Sequence, residues 1–291
     1  MEKTTRGRGD MSQREKLRHL LRVFYKSKSS FAFFSLLLSL LLVTGSTYAW
    51  ITSNDERVNR TEANKKQLSA KIDGNLEMVQ HFAPGTTQSK EIRVINNGEV
   101  PTIVRLSLTE SFISFEIEVK DNHGSGNGNG DLTIYGTPVL PAIQVGDTST
   151  WNVGKTYELS ADKHYKANHV LKDLPYVYQG TRPEPMPAIQ LNFTNGKVFD
   201  HTNQPSGTDT AYWYYEKGFF YYSEVLKPGD SSTNLMNNVT LDSTYLNQYK
   251  GAFYKLVPAM DAHDITNELM TDWGIQPTDF AYGMYQDQLY K

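Results

Sequence analysis

Val104-Arg-Leu-Ser-Leu-Thr109 and Ile113-Ser-Phe-Glu-Ile-Glu-Val119 alternate apolar and polar residues without a break. A period of two sends successive side chains to opposite faces of an extended chain. Each stretch therefore predicts a strand with one face in a core and one in water. Towards the N-terminus, Leu68, Ala70 and Ile72 alternate with Ser69 and Lys71, and Ile92 and Val94 follow a Pro84-Gly85 turn. Asn96-Asn97-Gly98 turns the chain again. Towards the C-terminus, Ile189, Leu191 and Phe193 alternate, and Tyr212 to Tyr215 faces Phe219 to Tyr222 across Glu216-Lys217-Gly218, which predicts an aromatic hairpin. Pro228-Gly229 leads into a stretch with Leu235, Val239 and Leu241, and Phe253 to Ala259 predicts a further strand. Between Asp261 and Trp273, Ile265, Leu269 and Trp273 lie four apart, one stripe of a short helix with Gly274 as its stop. Many short strands and one late helix predict a mainly β chain, an antiparallel β-sandwich spanning 67–275, followed by a 276–291 tail.

Two stretches depart from this rhythm. Asp121 to Asp131 is rich in Asn and Gly, too costly in backbone entropy for an element interior, and reads as a surface loop. From Leu132 onward Trp151, Tyr157, Tyr165, Tyr176 and Tyr178 are scattered among turn residues, and Arg182-Pro-Glu-Pro-Met-Pro187 resists regular structure. The expectation is a large irregular insertion at about 123–187.

The first fifty residues read as an export address. Met1 to Ser30 carries nine Lys or Arg against Glu2, Asp10 and Glu15, a basic arm that the cytoplasmic leaflet retains. Phe31 to Val43 is apolar apart from Ser35 and Ser39, about 20 Å of helix at roughly 1.5 Å per residue. A bilayer core needs about 20 apolar residues. Gly45 then breaks the signal helix, and Thr47-Tyr48-Ala49 has the small-x-small pattern that a signal peptidase reads. The predicted cut follows Ala49 and makes Trp50 the first residue, with 1–49 as basic arm and signal peptide. The alternative is an uncleaved signal anchor that keeps the domain on the outer side of the membrane. Residues 50–66, polar and charged, read as a flexible lead-in.

Cleavage would leave 20 Lys or Arg against 29 Asp or Glu. An acidic exported chain has no basic face for nucleic acid, and it meets the membrane only through its signal segment. The sequence contains no cysteine, which excludes disulfides, thiolate nucleophiles and Cys-ligated metals. A cysteine-free exported chain suits a Gram-positive bacterium.

Leu40-Leu-Leu-Val-Thr-Gly-Ser-Thr-Tyr-Ala-Trp50, a strand, Pro84-Gly85 and Asn96-Asn-Gly98 occur in an order that resembles the exported proteins dependent on a SipW-type signal peptidase, the TasA/camelysin-like family. Gly218-Phe-Phe-Tyr-Tyr-Ser-Glu-Val-Leu-Lys-Pro-Gly-Asp-Ser-Ser232, continuing through Leu235 to Leu241, and Asp272-Trp-Gly-Ile275 are similar to the second half of such domains. The likeness covers the larger part of the chain but not the insertion. It implies a jelly-roll or immunoglobulin-like sandwich, secreted to the cell surface or biofilm matrix. It also implies a fibre in TasA-like members, where an N-terminal segment of one subunit pairs with its neighbour, and other matrix proteins as further partners. The matching segment here is Trp50 to Lys66, which is charged and short of apolar alternation.

Camelysin-like members have been described as metallopeptidases, so metal ligands matter. His-Glu-x-x-His is absent, and the remaining candidates are His164 and His169 with Asp162. Five residues apart on a helix, the two histidines would be splayed by about 140° at roughly 100° per residue, so they could meet only through a loop. His263 with Asp261 and Asp264 reads as the start of the late helix, where acidic residues favour the dipole. Glu116 and Glu118 lie about 7 Å apart on one polar strand face, a common spacing on solvated strands. Asn127, Asn129 and Asp131 offer oxygen ligands to calcium without the terminal bidentate Glu of a calcium loop. Tyr212, Trp213, Tyr214 and Tyr215 offer rings for a carbohydrate or protein platform. No nucleophile elbow, phosphate-cradling loop or dinucleotide fingerprint is present. The expectation is a non-enzymatic structural protein without a cofactor. The alternatives are an exported binding module or adhesin using the 123–187 insertion, and a camelysin-like metallopeptidase.

Overall fold

The computed structural model describes residues 67–75, 77–80, 82–118, 131–136, 147–160 and 163–289. Residues 1–66, where the signal segment and lead-in are expected, and the Asn/Gly-rich stretch up to residue 130 lie outside them. Twelve strands follow in chain order: β1 (Lys71–Gly74), β2 (Thr87–Ile95), β3 (Thr102–Phe115), β4 (Ile134–Tyr135), β5 (Thr156–Ser160), β6 (Lys163–Pro175), β7 (Ile189–Phe193), β8 (Val198–Phe199), β9 (Trp213–Glu216), β10 (Phe219–Tyr222), β11 (Met236–Leu241) and β12 (Phe253–Asp264). Two short helices close the chain, α1 (Glu268–Asp272) and α2 (Phe280–Tyr285). The protein is mainly β, with antiparallel pairing except between β8 and β9.

Four strands form a small sheet in the order β1-β2-β11-β7. The large sheet runs β4-β6-β3-β10-β9-β8, with β12 along the other side of β3 and β5 against β6. Side chains from both sheets meet in one core, with Ile92, Val94, Met236 and Val239 from the small sheet and Val104, Leu106, Leu108 and Phe220 from the large one. The face of β2 that points away from this core is exposed, so Glu91 and Arg93 alternate with buried Ile92 and Val94 as the sequence predicts.

The large sheet differs because its far face is covered as well. At one end Ile103 and Tyr221 lie beneath Ile265, Leu269, Ala281 and Tyr285. At the other, Ile113, Phe115 and Phe253 pack in a second cluster with Trp151 from a loop and with Tyr157 and Ala167 of the neighbouring strands β5 and β6. Residues Glu110 to Phe115 are therefore all buried. This corrects the expectation of two half-buried strands: β3 is one continuous 14-residue strand, and its second half has no solvent face.

Three further expectations change. Within the 123–187 insertion, Lys163–Pro175 is strand β6, paired with β3 in the body of the large sheet. Its alternation is hidden by His, Lys and Tyr side chains and broken by register shifts against β3. The helix expected from Asp261 begins only at Glu268, because β12 continues to Asp264 in register with Thr102. The 276–291 tail contains α2, whose Tyr285 is fully buried. Helices of five and six residues do not persist alone. The Glu216 carboxylate accepts from the Phe280 and Ala281 amides at 3.1 and 3.2 Å, and the Tyr285 hydroxyl donates to the Tyr222 carbonyl at 2.7 Å.

The aromatic hairpin forms with a turn one residue shorter than expected: Glu216 belongs to the strand and lies opposite Phe219, and Trp213 lies opposite Tyr222. Its two turn residues, Lys217 and Gly218, have φ of +50° and +88°. Positive φ at both central positions gives a two-residue turn whose twist matches that of the strands.

Candidate functional site

β7 is an outer strand of the small sheet. On its inner side the Ala188 carbonyl accepts from the Asp242 amide at 2.8 Å, and the Thr194 amide donates to the Leu235 carbonyl at 3.0 Å. Alternation then turns the backbone groups of Ile189, Leu191 and Phe193 outward. The Ile189 carbonyl is met by Arg182 Nη1 at 2.6 Å. Along Leu191 and Phe193 no strand pairs this side among the described residues. A groove of about 510 Å³ runs along it, with Ile189 to Phe193 as one wall and Tyr176 to Gly180, Arg182 and Pro187 as the other.

Arg182 holds the far wall in place. Its Nε donates to Glu110 Oε2 at 3.0 Å and its Nη2 to Glu110 Oε1, while the Tyr254 hydroxyl donates to the same carboxylate at 2.7 Å. The guanidinium carbon lies 5.5 Å from the centre of the Tyr176 ring. Burial pushes the Glu110 carboxyl upward, while the adjacent guanidinium and the hydrogen bonds from Arg182 and Tyr254 pull it back. Burial also raises the Tyr176 and Tyr254 phenols, so both stay protonated donors. At the other end of the groove the Tyr178 ring meets Phe193 edge-on, with centroids 4.9 Å apart. The groove is thus tied at Ile189 by a buried ion pair and at Phe193 by aromatic packing.

Lys90, Glu110 and Asp200 are buried charges that escaped the sequence analysis, and parity could have found the first two. Val104, Leu106 and Leu108 extend to a core position at 110 that holds a Glu, which requires a buried partner. Ile92 and Val94 likewise project to Lys90, which is 2% exposed and whose Nζ has no hydrogen-bond partner among the described residues. Burial lowers the Lys90 ammonium to about 8, partly offset by Glu77.

The candidates named from sequence do not converge. Thr47, Ala49, Trp50, Asp162, Asn127 and Asn129 lie outside the described residues. His164 and His169 both lie on β6, about 16 Å apart along the strand at roughly 3.3 Å per residue, too far to share an ion. His169 Nδ1 instead contacts Ser114 Oγ at 3.1 Å and its ring meets Tyr249 edge-on. Among the described residues no group of three or more His, Cys, Asp or Glu could hold a metal, and no helix is long and apolar enough to cross a membrane. Glu116 pairs with Lys166 at 2.7 Å and accepts from Tyr135, while Glu118 is exposed. Trp213 and Tyr214 are buried, so half of the four rings belong to the core as expected, and Tyr212 and Tyr215 are partly exposed. Asp261, His263 and Asp264 sit on a strand end and cap no helix. Compared with protein-family models, curated proteins and solved structures, the chain matches none.

Proposed function

We propose that this chain is a secreted, non-enzymatic structural protein of the cell surface or biofilm matrix, a jelly-roll or immunoglobulin-like sandwich that assembles by strand addition. The observation that carries the proposal is the unpaired outer side of β7 facing a groove. An extended segment laid there satisfies the outward amides and carbonyls of Leu191 and Phe193 and adds a fifth strand to the small sheet. The proposed donor is Trp50 to Lys66 of a second copy, freed by cleavage after Ala49.

Magnitudes say what such a donor must supply. Four backbone hydrogen bonds contribute about 0.5–1.5 kcal/mol each. Ordering each donor residue costs about 1–2 kcal/mol. Backbone pairing alone therefore does not hold the segment, and apolar burial in the groove must make up the difference. Trp50 and Ile51 are the large apolar residues the lead-in offers, and Tyr178 and Phe193 are the rings available to receive them. Electron microscopy of the purified exported protein, with and without residues 50–66, tests the proposal. Fibres from the intact form and monomers from the truncated form are expected. Monomers from both, at high concentration, would overturn it.

An exported binding module using the 123–187 stretch is the second reading, and one observation favours it: the far wall of the groove, Tyr176 to Pro187, comes from that stretch. A soluble extended peptide or glycan bound by a protein that never forms fibres would select this reading. Mass spectrometry separates secretion from retention, since cleavage makes Trp50 the first residue and an uncleaved anchor leaves the full chain in the membrane.

A further inference from the structure

We propose that the groove between α2 and the start of β9 binds a quaternary ammonium group, such as the trimethylammonium head of choline. The groove has a volume of about 490 Å³, and Tyr212, Phe280, Tyr282 and Met284 line it together with Asp279 and Gln286. The three rings and the thioether are each partly exposed, so the core has not used up their surface. Two of the rings are held in place from outside the groove. Phe280 stacks on the buried Tyr214, with centroids 3.8 Å apart and planes at 17°, and Tyr212 meets Phe199 edge-on at 5.3 Å. Ring faces carry partial negative charge and attract cations, and methionine sulfur is polarisable.

The surrounding charge has the matching sign. Burial raises the Tyr212 phenol, and the Glu224 and Asp209 carboxylates near it raise it further. Tyr214, behind Phe280, is raised by burial and then by Glu216 and Asp200. Asp200 is 1% exposed; burial pushes its carboxyl up, but hydrogen bonds from Thr202 and Asn203 outweigh this and hold it below the usual carboxylate range. Its Oδ1 accepts from the Thr202 hydroxyl at 2.6 Å and from the Thr202 and Asn203 amides at 2.8 and 3.0 Å, while Oδ2 has no hydrogen-bond partner among the described residues. Asp200, Asp209, Glu216, Glu224 and Asp279 outnumber the lysines beside them, Lys197 and Lys217. Lys197 donates to the Thr210 carbonyl at 2.8 Å, and Lys217 donates to both oxygens of Asp279 at 2.6 and 2.7 Å.

Hydrogen bonding selects the kind of cation. Asp279 Oδ2 also accepts from the Gln276 amide at 2.8 Å, both oxygens of Glu216 accept from the amides of Phe280 and Ala281, and Glu224 Oε1 accepts from the Ala211 amide at 3.1 Å. A primary ammonium or a guanidinium entering the groove would give up water for carboxylates that the protein has already engaged, and an unmatched donor is costly. A quaternary ammonium has no N–H to satisfy. It needs only ring faces and a negative field, which are what the groove offers.

NMR titration of the purified full-length protein with three probes tests this: choline, its neutral carbon isostere and propylammonium. A few cation–π contacts place the Kd of choline at about 0.1–10 mM. The other two probes are expected to bind about tenfold more weakly, the isostere for lack of charge and propylammonium for lack of acceptors. Tyr212→Leu and Tyr282→Leu should each weaken choline about five- to tenfold, whereas Tyr212→Phe, which keeps the ring, should stay within about twofold. In the wild type, saturating the aromatic protons should transfer to the choline methyl groups, a contact that needs no variant to be seen. Choline failing to bind in that range, either other probe binding as tightly, both Leu variants binding choline like wild type, or methyl groups receiving no saturation would overturn the proposal.

Discussion

The two sheets bury the same kind of core from opposite sides, yet they treat their edges differently. The large sheet is covered on both faces over much of its area, and its long outer strand β12 is guarded. Val79 and Tyr254 exchange both backbone hydrogen bonds at 2.9 Å, which turns Tyr254 outward and, by alternation, Leu256, Pro258, Met260, Ala262 and Asp264 as well. Pro258 has no N–H to offer at its outward position, and Asp261, His263 and Asp264 put polar and charged side chains along the strand. Proline and charge are the usual means of keeping an edge from pairing. The small sheet leaves one face to solvent, encloses the Lys90 ammonium with no hydrogen-bond partner among the described residues, and presents β7 with neither proline nor charge. The large sheet is built as scaffold, and in the proposed reading the small sheet is where another chain adds.

The strongest way to break this contrast is at the wall of the groove. Arg182→Ala leaves Glu110 buried without its cation, and denaturant unfolding should show a loss of about 3–5 kcal/mol. Glu110→Leu combined with Arg182→Met should recover most of it. A single-variant loss below about 1 kcal/mol would mean that the pair does not hold the wall.

Lys90 predicts the opposite sign. Between pH 8 and about 10.4 the unfolded chain binds this proton and the folded chain does not, so stability should rise with pH across that window. Below pH 8 both states bind it and the full penalty applies. Lys90→Met should therefore stabilise by on the order of 2 kcal/mol at neutral pH, with the gain shrinking towards pH 10. Thermal melts of both proteins from pH 7 to 10 check the sign, and a destabilised variant would show that Nζ has found a partner.

The edges themselves can be exchanged. Leu191→Pro removes an outward N–H from β7 and should leave stability within about 1 kcal/mol while abolishing assembly. Pro258→Thr restores an N–H on β12 and should increase self-association in sedimentation. If Leu191→Pro assembles normally, β7 is not the acceptor. The smallest effect belongs to the solvent face of the small sheet. Arg93 pairs with Asp73 across β1 and β2 at 2.6 Å with both side chains well exposed, and Arg93→Ala should cost no more than about 0.5–1 kcal/mol.

Much of this contrast was written locally. The small sheet was legible because one solvent face preserves the period of two in Ile92 and Val94 and in Val239 and Leu241, although a bulge between Met236 and Asn238 interrupts it. The hairpin at Lys217-Gly218 was legible because turn chemistry is local. Strand β6 was not, because its partner residues on β3 lie 52 to 66 positions away in sequence and its bulges break the alternation that would have marked it. The end of β12 was mistaken for a helix start because Asp261, His263 and Asp264 suit either, and only pairing with β3 selects the strand. The groove was invisible, since its walls are brought together by a Glu and an Arg 72 residues apart.

The sequence by itself determined a cysteine-free, mainly β chain with its strands, turns and aromatic hairpin in order, because alternation and turn residues act over a few positions. Only the tertiary structure decided which strands became edges, which edge was guarded, and that Glu110 is hydrogen-bonded to a cation while Lys90 Nζ has no hydrogen-bond partner among the described residues. Those outcomes depend on backbone and side-chain groups distant in sequence meeting in a low-dielectric interior, where an unpaired group is costly and a paired one is not.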